Sequence, residues 1–172
     1  RYYGLDPAES AMRAGVLVLL AGIGMTLGGA LADRLSVKQA KNRLRVPAAY
    51  GLISGSILIT AFFLPPGTVQ FATIGLGLFI SAGFAGPSGA VVAEITSPSI
   101  RATAFAAMIL GNNLIGLAPG PFITGMIADA AGLDVAMRLM LIASLLSSAF
   151  YFLAAQNYDK DKSESGGVPI FV

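Results

Sequence analysis

Three stretches of this chain contain no Asp, Glu, Lys or Arg: Val46 to Ala93, Ala102 to Ala128 and Leu139 to Tyr158. A soluble domain carries about a quarter of its residues charged, whereas here the share is 12% and apolar residues make up 55%. An α-helix needs roughly 20 apolar residues to cross a bilayer, and each of these runs is long enough for at least one crossing. The chain therefore reads as a polytopic, all-α membrane helix bundle.

Five spans are expected, at about 11–32, 46–64, 71–93, 102–128 and 136–155. The first is announced by Asp6, Pro7 and Glu9, which have the order of a helix cap, a first helical residue and a first-turn acid. Gly24 and Gly28 stand four apart in it, and Gly51 and Gly55 repeat the spacing in the second. Two missing side chains on one helix face let neighbouring helices approach closely. Pro65 and Pro66 end the second span, and the turn to residue 70 is uncharged. Residues 157–172, charged and containing Gly and Ser, are expected to be a disordered tail after a transmembrane domain of residues 1–156.

Between the first two spans, Gly28 to Arg45 holds Arg34, Lys38, Lys41, Arg43 and Arg45 against one acid, Asp33. A short basic connection between spans faces the cytoplasm. With that end inside, Arg101, Lys160 and Lys162 also fall inside, and the N-terminus lies outside with the C-terminus in the cytoplasm. The same clustering makes nucleic acid a poor explanation of the net charge of +2. The absence of His and Cys removes thiolate chemistry, histidine general bases and the usual zinc ligand sets. No cofactor or metal is implied, and an enzyme is not expected. The five spans, beginning outside and preceded by Arg1 rather than Met, are expected to be part of a larger bundle.

The connection itself reads Gly29, Leu31, Asp33, Arg34 and Lys38 at the spacing Gly-x-Leu-x-Asp-Arg-x-x-x-Lys, with Ser36 and Val37 between. This resembles the loop signature of the major facilitator superfamily, Gly-x-Leu-x-Asp-Arg-x-Gly-Arg-Arg/Lys, with Ser36 and Val37 in place of a Gly and an Arg. After the third span, Glu94, Pro98, Arg101 and Ala102 resemble a second family pattern, at the same side of the bilayer and one hairpin away. Together they make the chain similar to the C-terminal half of such a transporter, with five of its six helices. The run Arg101 to Phe105, with Asn113, Gly116, Gly120, Pro121, Gly125 and Asp129, resembles the eleventh helix of the Spinster-like branch.

The resemblance implies transport of a small organic or amphiphilic solute across the plasma membrane or a cell's inner membrane by alternating access, together with an N-terminal half. A channel or a non-transporting membrane scaffold is the alternative, but no polar ring or filter is visible. It also implies a cytoplasmic gate made of Gly29, Asp33, Arg34, Lys38, Glu94 and Arg101, in which Asp33 meets a helix N-terminus of the other half. On spacing alone Asp33 is equally a hydrated acid at a helix end. Within the fourth span, Asn112, Asn113, Gly116, Gly120 and Thr124 fall on one arc at 100° per residue and are the candidates for a substrate pathway. Buried amides in lipid need partners, so interhelical hydrogen bonding fits them as well. Pro87, Pro119 and Pro121 are candidate bending points. No ionisable residue lies deep in a span, so a proton relay, if there is one, belongs to the other half.

Overall fold

The computed structural model describes residues 6–39 and 41–164, without the side chains of Lys38 and residues 159–164. Every regular element among them is helical: α1 (Pro7–Lys38), α2 (Asn42–Ala61), α3 (Thr68–Ala82), α4 (Ala85–Ile95), α5 (Arg101–Gly111), a π-helical turn (Asn112–Leu117), α6 (Pro119–Ala131) and α7 (Leu133–Glu164). They make five apolar spans: Pro7–Val37, Asn42–Ala61, Thr68–Ile95, Arg101–Ala131 and Leu133–Tyr158. The protein is an all-α, integral membrane helix bundle.

The start of α1 is built as its sequence dictates. The Asp6 side chain accepts the Glu9 backbone N–H at 2.7 Å, Pro7 occupies the first helical position, and Glu9 pairs with Arg13 at 2.7 Å. The other end differs from the expected loop. Helix α1 runs through the whole signature to Lys38, and only Gln39 to Lys41 separate it from α2. With Ser36 where the pattern has a glycine, no helix breaker follows Gly29, and the Ser36 hydroxyl donates to the Ala32 carbonyl at 2.6 Å. The turn is closed by Asn42, whose side-chain amide donates to the Leu35 carbonyl at 2.8 Å.

Helices α2 and α7 share the most extensive contact, and α3 packs on both α1 and α2. Both paired-glycine faces are contact faces. A Cβ on Gly28 would come to 2.5 Å from Gly83 Cα, one on Gly24 would overlap the Phe79 carbonyl, and ones on Gly51 and Gly55 would run into Ser148 and Ser144. The Tyr50 hydroxyl donates to the Gly28 carbonyl at 2.9 Å where α1, α2 and α3 meet.

The third span is interrupted at Gly83 and Phe84, between α3 and α4. Pro87, buried in the first turn of α4, lacks the N–H that would bond the Gly83 carbonyl, and its ring crowds that carbonyl. The interruption thus falls one turn before the proline. In the fourth span Pro119 opens α6 directly after the π turn, whose widened hydrogen bond runs from the Ala118 N–H to the Asn113 carbonyl at 2.8 Å.

The residues expected to begin a disordered tail, from Asn157, are helical to Glu164 at the end of α7, and Tyr158, 2% exposed, packs there with Leu44 and Ala155. Residues 165–172 lie outside the described residues.

Candidate functional site

The end of the bundle that carries the Gln39–Lys41 turn also carries the expected gate residues. Glu94 lies in the last turn of α4 with its side chain 9% exposed. It does not pair with Arg101. One carboxylate oxygen takes an ion pair from Arg43, at the start of α2, and the other accepts the Tyr158 hydroxyl at 2.5 Å. Glu94 therefore ties three helices of its own bundle together. Around it, Val91 and Tyr151 pack on Leu44, Ala155 and Tyr158. Tyr151 meets the Ser88 hydroxyl at 2.7 Å and stands edge-on to Phe84, centroids 6.0 Å apart. Neither Arg43 nor Tyr158 belongs to a recognised motif. A basic residue one turn past the signature was the only available sign of the first, and nothing local marked the second.

Asp33 and Arg34 lie on the exposed side of α1, and no ion pair among the described residues involves either. The Lys38 side chain lies outside the described residues. Gly29 has open space where a Cβ would be, although its own Cα lies 3.7 Å from a Cβ built on Gly86 of α4. Arg101, opening α5, donates from Nη2 to the Thr96 carbonyl at 3.5 Å, and its Nε is buried without a partner among the described residues. The six residues thus divide: Glu94 is held inside the bundle, while Asp33 and Arg34 are left open.

The fourth span is the least enclosed of the five, with none of its most apolar stretch buried, and α1 comes next. Asn112, Asn113 and Gly116 are exposed, and Gly120 and Thr124 are half-buried. The Thr124 hydroxyl donates to the Gly120 carbonyl at 2.7 Å, and neither asparagine side chain has a hydrogen-bond partner among the described residues. The π turn changes the angular step within the arc worked out at 100° per residue, so Gly120 and Thr124 are offset from the amides. Nothing stands within 4 Å of a Cβ placed on Gly111, Gly116, Gly120 or Gly125. This face is smooth and polar at one level, and α4 lies between it and α1, touching both α1 and α5.

Apart from this face, a cavity of about 190 Å³ is lined by Ser54, Ser81, Ser144, Ser147 and Ser148 with Tyr151, where α2 and α7 pack. The hydroxyls of Ser144 and Ser148 already donate to the carbonyls of Leu141 and Ser144, at 2.7 and 2.9 Å, as hydroxyls in an apolar bundle do.

A family model described as "Major Facilitator Superfamily" matches residues 1–170. A protein of Mycolicibacterium smegmatis (strain ATCC 700084 / mc(2)155) named "MFS-type efflux pump" is 26% identical over 170 residues, which are 94% of this chain and 39% of that protein. The chain thus spans about two fifths of the length of this relative. No solved structure matches. Five apolar spans, a basic Gly-x-Leu-x-Asp-Arg end on the first and a family match over nearly all of its length lead to one conclusion: the chain belongs to the Major Facilitator Superfamily.

Proposed function

We propose that this chain is five helices of the C-terminal half of a transporter that carries a small organic or amphiphilic solute by alternating access. Its two halves rock about a site near the bilayer midplane. The supporting observation is the fourth span. Two amides at membrane depth, with no side-chain partner in their own bundle, are costly against lipid, so this face is covered by an N-terminal half or lines a wet cavity. The open face of α1 flanks the same wall. The basic end faces the cytoplasm of a plasma or inner membrane, the N-terminus lies outside and the C-terminus inside. The name of the mycobacterial relative suggests outward movement of the solute.

In this reading Asp33 and Arg34 belong to the cytoplasmic gate and reach across to the other half, whereas Glu94 acts within its own half. Proteoliposomes holding the whole transporter test the proposal: saturable counterflow of a labelled substrate is expected, and a channel shows none. Asp33→Asn is expected to change the balance of inward- and outward-open states, read by cysteine accessibility, while the unfolding midpoint stays put. An unchanged balance removes Asp33 from the gate. Asn112→Ala is expected to weaken substrate binding about tenfold, the worth of one hydrogen bond in a dry site, at unchanged stability. Lost stability at constant affinity would make Asn112 a packing residue instead.

A further inference from the structure

At the end of the bundle opposite the basic turn, a cavity of about 450 Å³ opens between the α2–α3 turn and the start of α7. Its walls are apolar: Phe62, Leu64, Pro65, Pro66, Leu133 and Met137. Two opposite charges stand together on one side of it. Asp134 and Arg138, one turn apart on α7, approach to 3.7 Å with side chains 38% and 36% exposed. That distance is an ion pair without a hydrogen bond, so each group keeps capacity for another partner. Arg138 is fixed in place: its Nε and Nη2 donate to the Phe62 carbonyl at 3.2 and 2.9 Å, and its guanidinium lies over the Phe63 ring at 4.4 Å. Its Nη1 makes no hydrogen bond among the described residues. The floor is equally fixed by Gln70, which donates to the carbonyls of Ala61 and Leu64 at 3.1 and 3.2 Å.

We propose that this cavity holds the head and glycerol region of a zwitterionic phospholipid with a primary ammonium, of the phosphatidylethanolamine type, from the adjoining leaflet. The depth fits, because both turns lie at a span end, where headgroups are. The charges choose the head. The phosphate sits on Arg138 Nη1 and the ammonium on Asp134, so the lipid dipole runs antiparallel to the protein pair. An anionic head of single sign meets Asp134 as a like charge, and a trimethylammonium has no N–H to donate to the carboxylate. The cavity is too small for acyl chains, which stay in the bilayer. It is formed by α2, α3 and α7, not by the open face of α1 and α5–α6, so an N-terminal half does not compete for it.

Native mass spectrometry of the purified protein in non-ionic detergent tests this, with phosphatidylethanolamine, phosphatidylcholine and phosphatidylglycerol of identical chains. One ethanolamine lipid should be retained about tenfold more tightly than the other two, as expected for one charge-assisted hydrogen bond. Asp134→Asn should erase that preference. Thermal unfolding of the variant in lipid-free detergent, unchanged from the parent, shows that the fold is intact. Should Asp134→Asn unfold, Asp134→Glu serves instead, since it keeps the charge and should keep the preference. Equal retention of the three lipids by the parent protein, or an undiminished preference in a folded Asp134→Asn variant, overturns the proposal.

Discussion

Gly24→Ala is expected to lower the unfolding midpoint of the protein sharply, while Gly22→Ala, two residues away on the same helix, leaves it unchanged or raises it. The two substitutions add the same methyl group. At Gly22 nothing lies within 4 Å of the new Cβ, and in an exposed helix interior alanine is the better residue by about 1 kcal/mol in water. At Gly24 the Cβ lands on the Phe79 carbonyl, with Phe79 C at 2.7 Å and Cα at 2.9 Å. These are backbone atoms of α3, so no side chain can rotate out of the way, and α1 must back off. Overfilling a packed site usually costs about 1–3 kcal/mol, and a clash with a fixed main chain belongs at the top of that range or above. Separation also lengthens the hydrogen bond from Tyr50 to the Gly28 carbonyl, now 2.9 Å, and opens the Gly28 contact with Gly83. Thermal unfolding in detergent compares the pair directly. Equal midpoints for the two alanine variants would mean that the α1–α3 contact is not close-packed.

The features that came through from sequence are those set by composition or by short spacing. Runs without charge mark where lipid surrounds the chain, so all five spans could be placed. Asp6, Pro7 and Glu9 mark a helix start because capping acts over three residues. Paired glycines four apart mark a contact face because that spacing returns to the same side of a helix. The features that did not come through depend on how helices turn toward one another. Arg43 finds Glu94 across 51 positions of sequence, by the rotation of α2 against α4, which periodicity does not report. Tyr158 donates to Glu94, 64 residues away, a contact that local polarity does not report. The π turn at Asn112 to Leu117 shifts the fourth span off the 100° step on which its polar arc was drawn. Its sign in the sequence was Pro119, which has no N–H to return to Ile115.

Glu94→Ala should loosen the basic end of the bundle without disturbing Asp33 and Arg34, which are left open on α1. The Glu94 side chain is 9% exposed and that of Arg43 27%, so the variant leaves a largely buried guanidinium with no counter-charge. Breaking a fully buried pair costs about 3–5 kcal/mol, and the partial exposure of Arg43 reduces this to about 2–3 kcal/mol. Tyr158, 2% exposed, also loses its 2.5 Å acceptor. Tyr158→Phe isolates that part and should cost about 1.5–3 kcal/mol, the worth of a hydrogen bond to a charged group. Glu94→Gln, which can still accept from the tyrosine, should fall between the parent and Glu94→Ala. Because Tyr158 anchors the last turns of α7, the first consequence is local opening rather than global unfolding. Trypsin should therefore cut at Lys160 and Lys162 faster in Glu94→Ala than in the parent, at temperatures where both remain folded. A double-mutant cycle of Arg43→Met with Glu94→Ala then measures the pair itself, since removing both charges together leaves neither one stranded. If Glu94→Ala changes neither the midpoint nor the cleavage rate, α2, α4 and α7 are held by apolar packing alone, and Glu94 is released for a role across the two halves. If the stability loss appears while Asp33→Asn alters only the balance of open states, the signature acids have separate tasks, Glu94 keeping one half rigid and Asp33 meeting the other.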